Sequence, residues 1–342
     1  MQNTAKTGIL LVNLGTPDSP SVPDVRKYLR EFLMDGRVLD VPFLPRWALV
    51  NLIIAPFRAP KSAKIYQELW DERGSPLKYF GQDIEKSLQE RLGNEHFDVK
   101  LAMRYQSPSI DNGLAHFRAI GVKKIVVVPF FPQYASASSG SVFEKVMEIV
   151  GQWQTIPEIQ ITGTFFDHPK YIEHFTKAAQ NYMEKEQFDH FLFSYHGIPQ
   201  RHIRKGDHTK STCQFGACCE TLTPDNRLCY RAQCFETTRQ LAKSLGLADG
   251  TYTTAFQSRL GRDPWIQPYT DKVIETLPKE GKMKVLAFSP SFVSDCLETT
   301  IEVGEEYKEL FEENGGQHWQ LVESLNASPL WTDLVMDLIG EK

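Results

Sequence analysis

A chain of 342 residues with 41% hydrophobic content is too long for one ordinary core, because single cores rarely grow beyond ~250–300 residues, so two domains are expected. Its 38 basic and 43 acidic residues are interspersed and leave a net charge of −5, which excludes the basic footprint of a nucleic-acid binder. The longest apolar run, residues 47–57, contains Asn51 and falls far short of the ~20 residues that a membrane-spanning helix needs.

Residues 8–14 are the first apolar run. The run is short, lacks a small-residue cleavage site and enters the turn Gly15-Thr16-Pro17, so it reads as a first strand and not as an export signal; a cytoplasmic location is expected. Residues 32–61 differ in character, with Val38, Leu39, Val41, Phe43, Leu44, Trp47, Leu52, Ile53 and Phe57 interrupted by prolines at 42, 45, 56 and 60. This segment is either a core helix with its connections or an apolar lip over a pocket, able to touch a membrane surface as amphipathic segments with Trp and Arg do. Runs at 124–129, 190–195 and 284–289 each precede a tight turn and a helical pattern. Continuous apolar strands separated by helices indicate parallel strands buried on both faces, hence the α/β class. Val126-Val127-Val128-Pro129-Phe130-Phe131-Pro132 resembles Leu286-Ala287-Phe288-Ser289-Pro290-Ser291-Phe292. That echo suggests duplicated doubly wound halves, in which ligands lie beyond the carboxyl ends of the strands. Tyr134, His196 and Glu298 all follow such ends. The boundary is expected near Asp167-His168-Pro169, giving halves 1–168, with the lip at 32–61, and 169–342.

His196 comes directly after an apolar strand, and Asp295, Glu298 and Glu302 are spaced three and four apart, which would place them on one helical face. Imidazole with carboxylate suits a divalent metal ion, and a histidine near neutrality can also accept a proton. The plainer alternatives are a hydrogen-bonded structural histidine and a solvated acidic helix. Five of the six cysteines, Cys213, Cys218, Cys219, Cys229 and Cys234, lie within residues 212–234. In a cytosolic chain such crowding indicates metal ligands or redox groups more than disulfides. Four thiolates suit an iron–sulfur cluster or structural zinc, and free thiols are the third option. Adjacent Cys218 and Cys219 are expected to point different ways, so that four of the five ligate.

Leu11-Val12-Asn13-Leu14-Gly15-Thr16-Pro17, Arg104-Tyr105, Gln133-Tyr134, Ser194-Tyr195-His196-Gly197-Ile198-Pro199, Gln257-Ser258-Arg259 with Pro264-Trp265, and Ser294-Asp295-Cys296-Leu297-Glu298-Thr299 together resemble the ferrochelatase family, in consistent order from about Thr7 onward. The resemblance implies a metal chelatase, a lyase that inserts Fe²⁺ into protoporphyrin IX with release of two protons to form protohaem, the last step of haem biosynthesis. It implies two similar Rossmann-like, chelatase-type halves with the active-site cleft between them. His196 and Glu298 would serve the metal and proton steps, without a division of roles, and Asp295 and Glu302 a path for protons out or metal in. Porphyrin contacts would come from Arg58, Ser75, Arg104, Tyr105, Tyr134 and Trp265. Arg58 is the better partner for propionates, being always charged and able to bind a carboxylate bidentately; Arg104 would line the metal face. The cysteine insert implies an internal [2Fe–2S] cluster, with zinc as the alternative; a cluster held by a C-terminal cysteine tail is excluded, since no cysteine follows Cys296. Partners are then protoporphyrin IX and ferrous iron, no nucleic acid, and peripheral membrane contact through the lip. Rival readings are another tetrapyrrole chelatase and a haem- or metal-binding sensor on the same fold. Oligomeric state leaves no signature in the sequence.

Overall fold

Apolar runs bounded by turn residues become the buried strands they predict. In the computed structural model, which describes residues 6–259, 261 and 263–341, the chain order among these residues is β1 (Thr7–Gly15), α1 (Val22–Met34), α2 (Phe43–Ala48), α3 (Ala55–Leu69), α4 (Pro76–Leu92), β2 (Phe97–Tyr105), α5 (Ile110–Ile120), β3 (Lys124–Pro129), α6 (Ser141–Val150), β4 (Glu158–Ile161), α7 (Pro169–Met183), β5 (His190–His196), α8 (Gln200–Gly206), α9 (Tyr230–Leu245), β6 (Tyr252–Gln257), α10 (Thr270–Thr276), β7 (Lys284–Phe288), α11 (Tyr307–Glu313), β8 (His318–Leu321) and α12 (Pro329–Ile339). The strands form two parallel four-stranded sheets in the orders β2-β1-β3-β4 and β6-β5-β7-β8. The same order occurs twice, so the α/β class and the repeated doubly wound architecture hold.

Two compact units divide the chain. The first takes the chain through Phe131, then Ala135–Gly163 and the C-terminal segment from Ala327; the second takes Pro132–Tyr134 and Thr164–Asn326. In the first, Leu10, Val12, Ala102, Ile125 and Val127 of the sheet pack against Ile110, Leu114 and Phe117 of α5 and Val142 and Val146 of α6. In the second, Leu192, Ala255, Val285 and Ala287 pack against Ile274, Val303, Phe311 and Trp319. Local signals set the helix ends. The Ser21, Ser109 and Ser328 side chains accept N–H bonds at the starts of α1, α5 and α12, and left-handed Gly121 and Gly340 close α5 and α12.

Residues 43–69 correct an expectation. Prolines 42, 45, 56 and 60 do not break this segment, which runs helically from α2 through a π-helical stretch, Leu49–Ile54, into α3. Pro42 is the cap before α2, and Pro56, which has no N–H to donate, sits in the first turn of α3, where the ladder changes from five-residue to four-residue spacing. Val50, Ala55 and Ala59 face inward, whereas Leu44 and Phe57 are 75% and 74% exposed, and Phe43, Trp47, Leu52 and Ile53 are exposed with them. Among the described residues no helix is long and apolar enough to cross a membrane.

Helix α12 closes the first core by placing fully buried Trp331 edge-on to Phe130, ring centroids 4.9 Å apart. Trp331→Ala should cost about 3–5 kcal/mol, read as a lower urea midpoint; a shift below ~1 kcal/mol would show that this contact does not hold the core.

Candidate active site and cysteine-rich segment

Strand β5 is buried throughout except at His196, its last residue. The imidazole Nδ1 lies 2.6 Å from the Gly197 carbonyl. A carbonyl only accepts, so Nδ1 carries the hydrogen and the neutral ring keeps its lone pair on Nε2. Gly197 is required by packing: a Cβ there would sit 2.7 Å from the Gln257 carbonyl and 3.2 Å from the Trp265 ring. Half-buried Trp265 is tied to the same loop, since Ile266 N–H donates to the Ile198 carbonyl and the Gln200 side chain to the Trp265 carbonyl. The Phe292 ring stands edge-on to His196 at 6.4 Å.

Glu298 lies in a π-helical segment, Leu297–Glu306, that opens after Cys296. Asp295 therefore precedes the helix, and the single acidic face expected from spacing does not form. The Asp295 carboxylate instead accepts from the Ser324 N–H and the Asn326 side chain, pinning the turn. Glu302 accepts from Gln257 at 3.0 Å, Ser258 at 2.5 Å and Tyr307 at 3.1 Å. Gln257 also donates to the Glu298 carbonyl and accepts from Ser194, and it is paired with His196 across the β5–β6 ladder. It thus links the histidine strand to the acidic helix, a role that its motif did not disclose. Burial, then the neighbouring Glu298 carboxylate, push the Cys296 thiol well above its ordinary pKa, so it stays protonated beside that acid.

Tyr134 is half-buried in the second unit, where its N–H donates to Gln233 on α9. The remaining porphyrin candidates belong to the first unit. Arg58 is exposed on α3, next to Phe57. Arg104 is held by Asp35 at 2.7 Å and by the Ser141 hydroxyl at 2.7 Å. Tyr105 is fully buried, its hydroxyl donating to the same Asp35 oxygen at 2.8 Å, so it braces Arg104 and shows no surface of its own. Gly15, with φ +117°, lies so close to Tyr105 that a Cβ would be 2.0 Å from its carbonyl. The buried hydroxyls of Ser75, Thr16 and Thr162 in the first unit, and of Ser289 and Ser294 in the second, have no hydrogen-bond partner among the described residues. Each such group costs about 1–3 kcal/mol. Thr16, Thr162 and Ser289 stand just past the ends of β1, β4 and β7, the ligand side of such sheets.

The cysteine-rich segment is loop with short 3₁₀ turns at Ala217–Cys219 and Pro224–Asn226. Contrary to expectation Cys218 and Cys219 do not diverge: the 3₁₀ turn brings their sulfurs to 3.8 Å. The Cys219 thiol hydrogen-bonds Cys229, which lowers the Cys229 pKa and raises that of Cys219, and burial above all raises that of Cys213. Cys234 is apart from these, fully buried on α9 against the Tyr230 hydroxyl, and burial first of all raises its pKa. Among the described residues no three His, Cys, Asp or Glu side chains stand in an arrangement that would hold a metal ion; what the four loop sulfurs match is the donor chemistry of such a site.

A family model described as ferrochelatase matches residues 6–342. The chain is 44% identical over 340 residues to a ferrochelatase of Coxiella burnetii, covering 98% of this chain and 93% of that one. It is equally identical to a ferrochelatase of Legionella pneumophila, covering 98% and 99%. Among solved structures it matches the sirohydrochlorin chelatase SirB of Bacillus subtilis subspecies spizizenii in complex with cobalt, with TM-score 0.51, 12% identity, and 98% and 94% of the two chains covered. That last likeness concerns the fold.

Burial opposes ionisation of Asp35, but hydrogen bonds from Ser141, the Arg37 N–H and Tyr105, with the charge of Arg104, more than offset it and lower its pKa. Its stabilising contribution is therefore full above the unfolded value and is lost as pH falls through the lower folded one. Asp35→Asn should cost about 3–5 kcal/mol at pH 7 by leaving Arg104 without its anion. The deficit should shrink below about pH 4 in urea titrations; a deficit independent of pH would show that charge is not what Asp35 supplies.

Proposed function

The chain belongs to the ferrochelatase family and inserts ferrous iron into protoporphyrin IX, forming protohaem in the last step of haem biosynthesis; we propose that His196 and Glu298 carry the insertion. The observation behind this is the Nδ1–H bond to the Gly197 carbonyl, which reserves the Nε2 lone pair of His196 for an incoming ion or proton. Imidazole and carboxylate together offer the mixed donor set from which ferrous iron can pass on to the pyrrole nitrogens. Two pyrrole protons must leave as the ion enters, and Glu298 is the carboxylate to which we assign their removal. Gln257 donates both to the Glu298 backbone carbonyl and to the Glu302 carboxylate, and we assign Glu302 to the proton or metal path beyond Glu298. Asp295 contributes by pinning the turn into the acidic helix.

For the macrocycle, Trp265 and Tyr134 offer apolar surface in the second unit. In the first, exposed Arg58 is the partner for a propionate, Arg104 is set in place by Asp35 with Tyr105 bracing it, and the Ser75 hydroxyl is an unmet donor for a ligand. The exposed residues at 43–57 fit peripheral contact with a membrane: burying a large apolar side chain is worth about 1.5–3 kcal/mol, and Phe43, Leu44, Trp47, Leu52, Ile53 and Phe57 forgo much of it in water. We place the chain in the cytoplasm, at the membrane surface.

Cys213, Cys218, Cys219 and Cys229 are the four thiols we assign to a [2Fe–2S] cluster, with zinc as the other occupant that four thiolates suit. The cluster would supply redox chemistry and tie down a segment with few apolar side chains of its own. Cys234 is the one we leave out, since it lies apart on α9, buried against Tyr230.

Anaerobic incubation of the purified protein with ferrous iron and protoporphyrin IX should yield the absorption spectrum of haem, and no haem would overturn the function. His196→Ala and Glu298→Gln should each lower turnover by about 10²–10⁴, whereas Glu306→Gln should change it little; near-normal turnover in either of the first two removes that residue's role. The protein purified anaerobically should contain about two irons and two acid-labile sulfides per chain. Single substitution of Cys213, Cys218, Cys219 or Cys229 should bleach it, while Cys234→Ala and Cys296→Ala keep the colour. Zinc in place of iron would overturn the cluster and leave the chelatase reading standing.

A further inference from the structure

The pairing of β5 with β6 continues to His196 opposite Gln257, but the pairing with β7 stops at Phe193 opposite Phe288. The Gly197 N–H donates to the Gln257 carbonyl on the β6 edge. Along an extended strand successive residues present their backbone groups to alternate edges, so the N–H and C=O of His196 both face the other edge, where the ladder has ended. Two side chains fill the gap. The Tyr230 hydroxyl donates to the His196 carbonyl at 2.7 Å, the Ser291 hydroxyl accepts from the His196 N–H at 3.4 Å, and the two hydroxyls lie 3.0 Å apart. Tyr230 is the buried first residue of the 16-residue helix α9, and half-buried Ser291 lies in the turn after β7, which ends at Phe288.

We infer that Tyr230 and Ser291 are positioning residues for the insertion reaction, a hydroxyl clamp that replaces the missing β7 ladder and fixes the direction of the His196 ring. The inference rests on the reading of His196 as the metal- or proton-handling group. The clamp holds both backbone groups of one residue, so it removes the freedom of the strand end to swing about its last paired residue. A reacting group displaced by about 1 Å loses up to ~10²-fold in rate. Tyr230 is also the residue after Cys229, so one turn of chain joins the cysteine-rich segment to the backbone of His196. Gln233, on the same helix, holds the Tyr134 N–H at 2.6 Å.

A comparison bond exists one residue earlier: the Thr238 hydroxyl of α9 meets the Tyr195 hydroxyl at 3.0 Å, likewise buried and likewise between α9 and β5. The test compares Tyr230→Phe and Ser291→Ala with Thr238→Val in the full chain. Tyr230→Phe and Ser291→Ala should each lower kcat by about ten- to a hundred-fold with the porphyrin KM within about twofold. Their urea midpoints should move no further than that of Thr238→Val, which keeps its kcat. The double variant should be no worse than the poorer single, because the two act as one unit. In protein labelled with ¹³C at histidine Cε1, the signal lost in His196→Ala should broaden or shift in Tyr230→Phe and stay in place in Thr238→Val. Full kcat in Tyr230→Phe with His196→Ala inactive overturns the clamp alone, as does an unmoved His196 signal or a kcat loss that follows the urea midpoint in all three variants. Full turnover in His196→Ala overturns the reading of His196 and the clamp with it.

Discussion

A strand buried on both faces must satisfy its backbone by hydrogen bonding, and β5 runs out of neighbour on one edge at Phe193 while continuing to His196 on the other. An unpaired buried backbone group costs about as much as a lost hydrogen bond, so side chains from elsewhere must come to this strand end. Tyr230 comes from α9 and Ser291 from the turn after β7, while on the other edge Gln257 pairs through its backbone at the end of β6. Each brings its own element into register with His196. Through Gln257 the acidic helix is fastened there as well. The chemistry thus sits where the sheet stops, because that is where the backbone needs side chains and leaves room for a ligand.

Much of this was legible in the sequence, and the exceptions share a cause. Apolar runs and turn residues act over a few positions, so the strands, the doubled α/β order and the strand-end places of Tyr134, His196 and Glu298 could be read directly. Gln257 and Tyr230 could not, because their hydrogen bonds reach 41 and 34 residues along the chain and no local periodicity encodes them. Asp295 was assigned to a helical face because its spacing fits one; the capping of the helix at Cys296 puts it outside. The prolines of 43–69 read as breakers because single-residue rules ignore a π-helical stretch that shifts the ladder around them. Cys218 and Cys219 were expected to diverge because they are adjacent in the chain, yet a 3₁₀ turn draws their sulfurs together.

Among the six thiols, burial drives Cys234 and Cys296 far towards the protonated form, with Glu298 adding to the effect at Cys296. The hydrogen bond between Cys219 and Cys229 draws Cys229 down and Cys219 up, and burial raises Cys213. A thiolate is the form that binds metal or reacts, and Cys229 is the thiol whose surroundings favour that form. Asp35 and Asp295 show a similar division among the acids: their oxygens are taken up in holding Arg104 and the Ser324–Asn326 turn.

Helix α12 belongs to the first unit although the whole of Thr164–Asn326 intervenes in the chain. During synthesis at ~5–20 residues per second, the Phe130 side of that core therefore waits roughly 10–40 s for Trp331 to emerge. The Ser87 hydroxyl waits longer still for Thr332, and Arg91 for Asp333. Through that interval the nascent first unit lacks its last helix while the second is still being completed. A chain cut short within α12 would therefore have its histidine-bearing unit whole and its arginine-bearing unit unfinished.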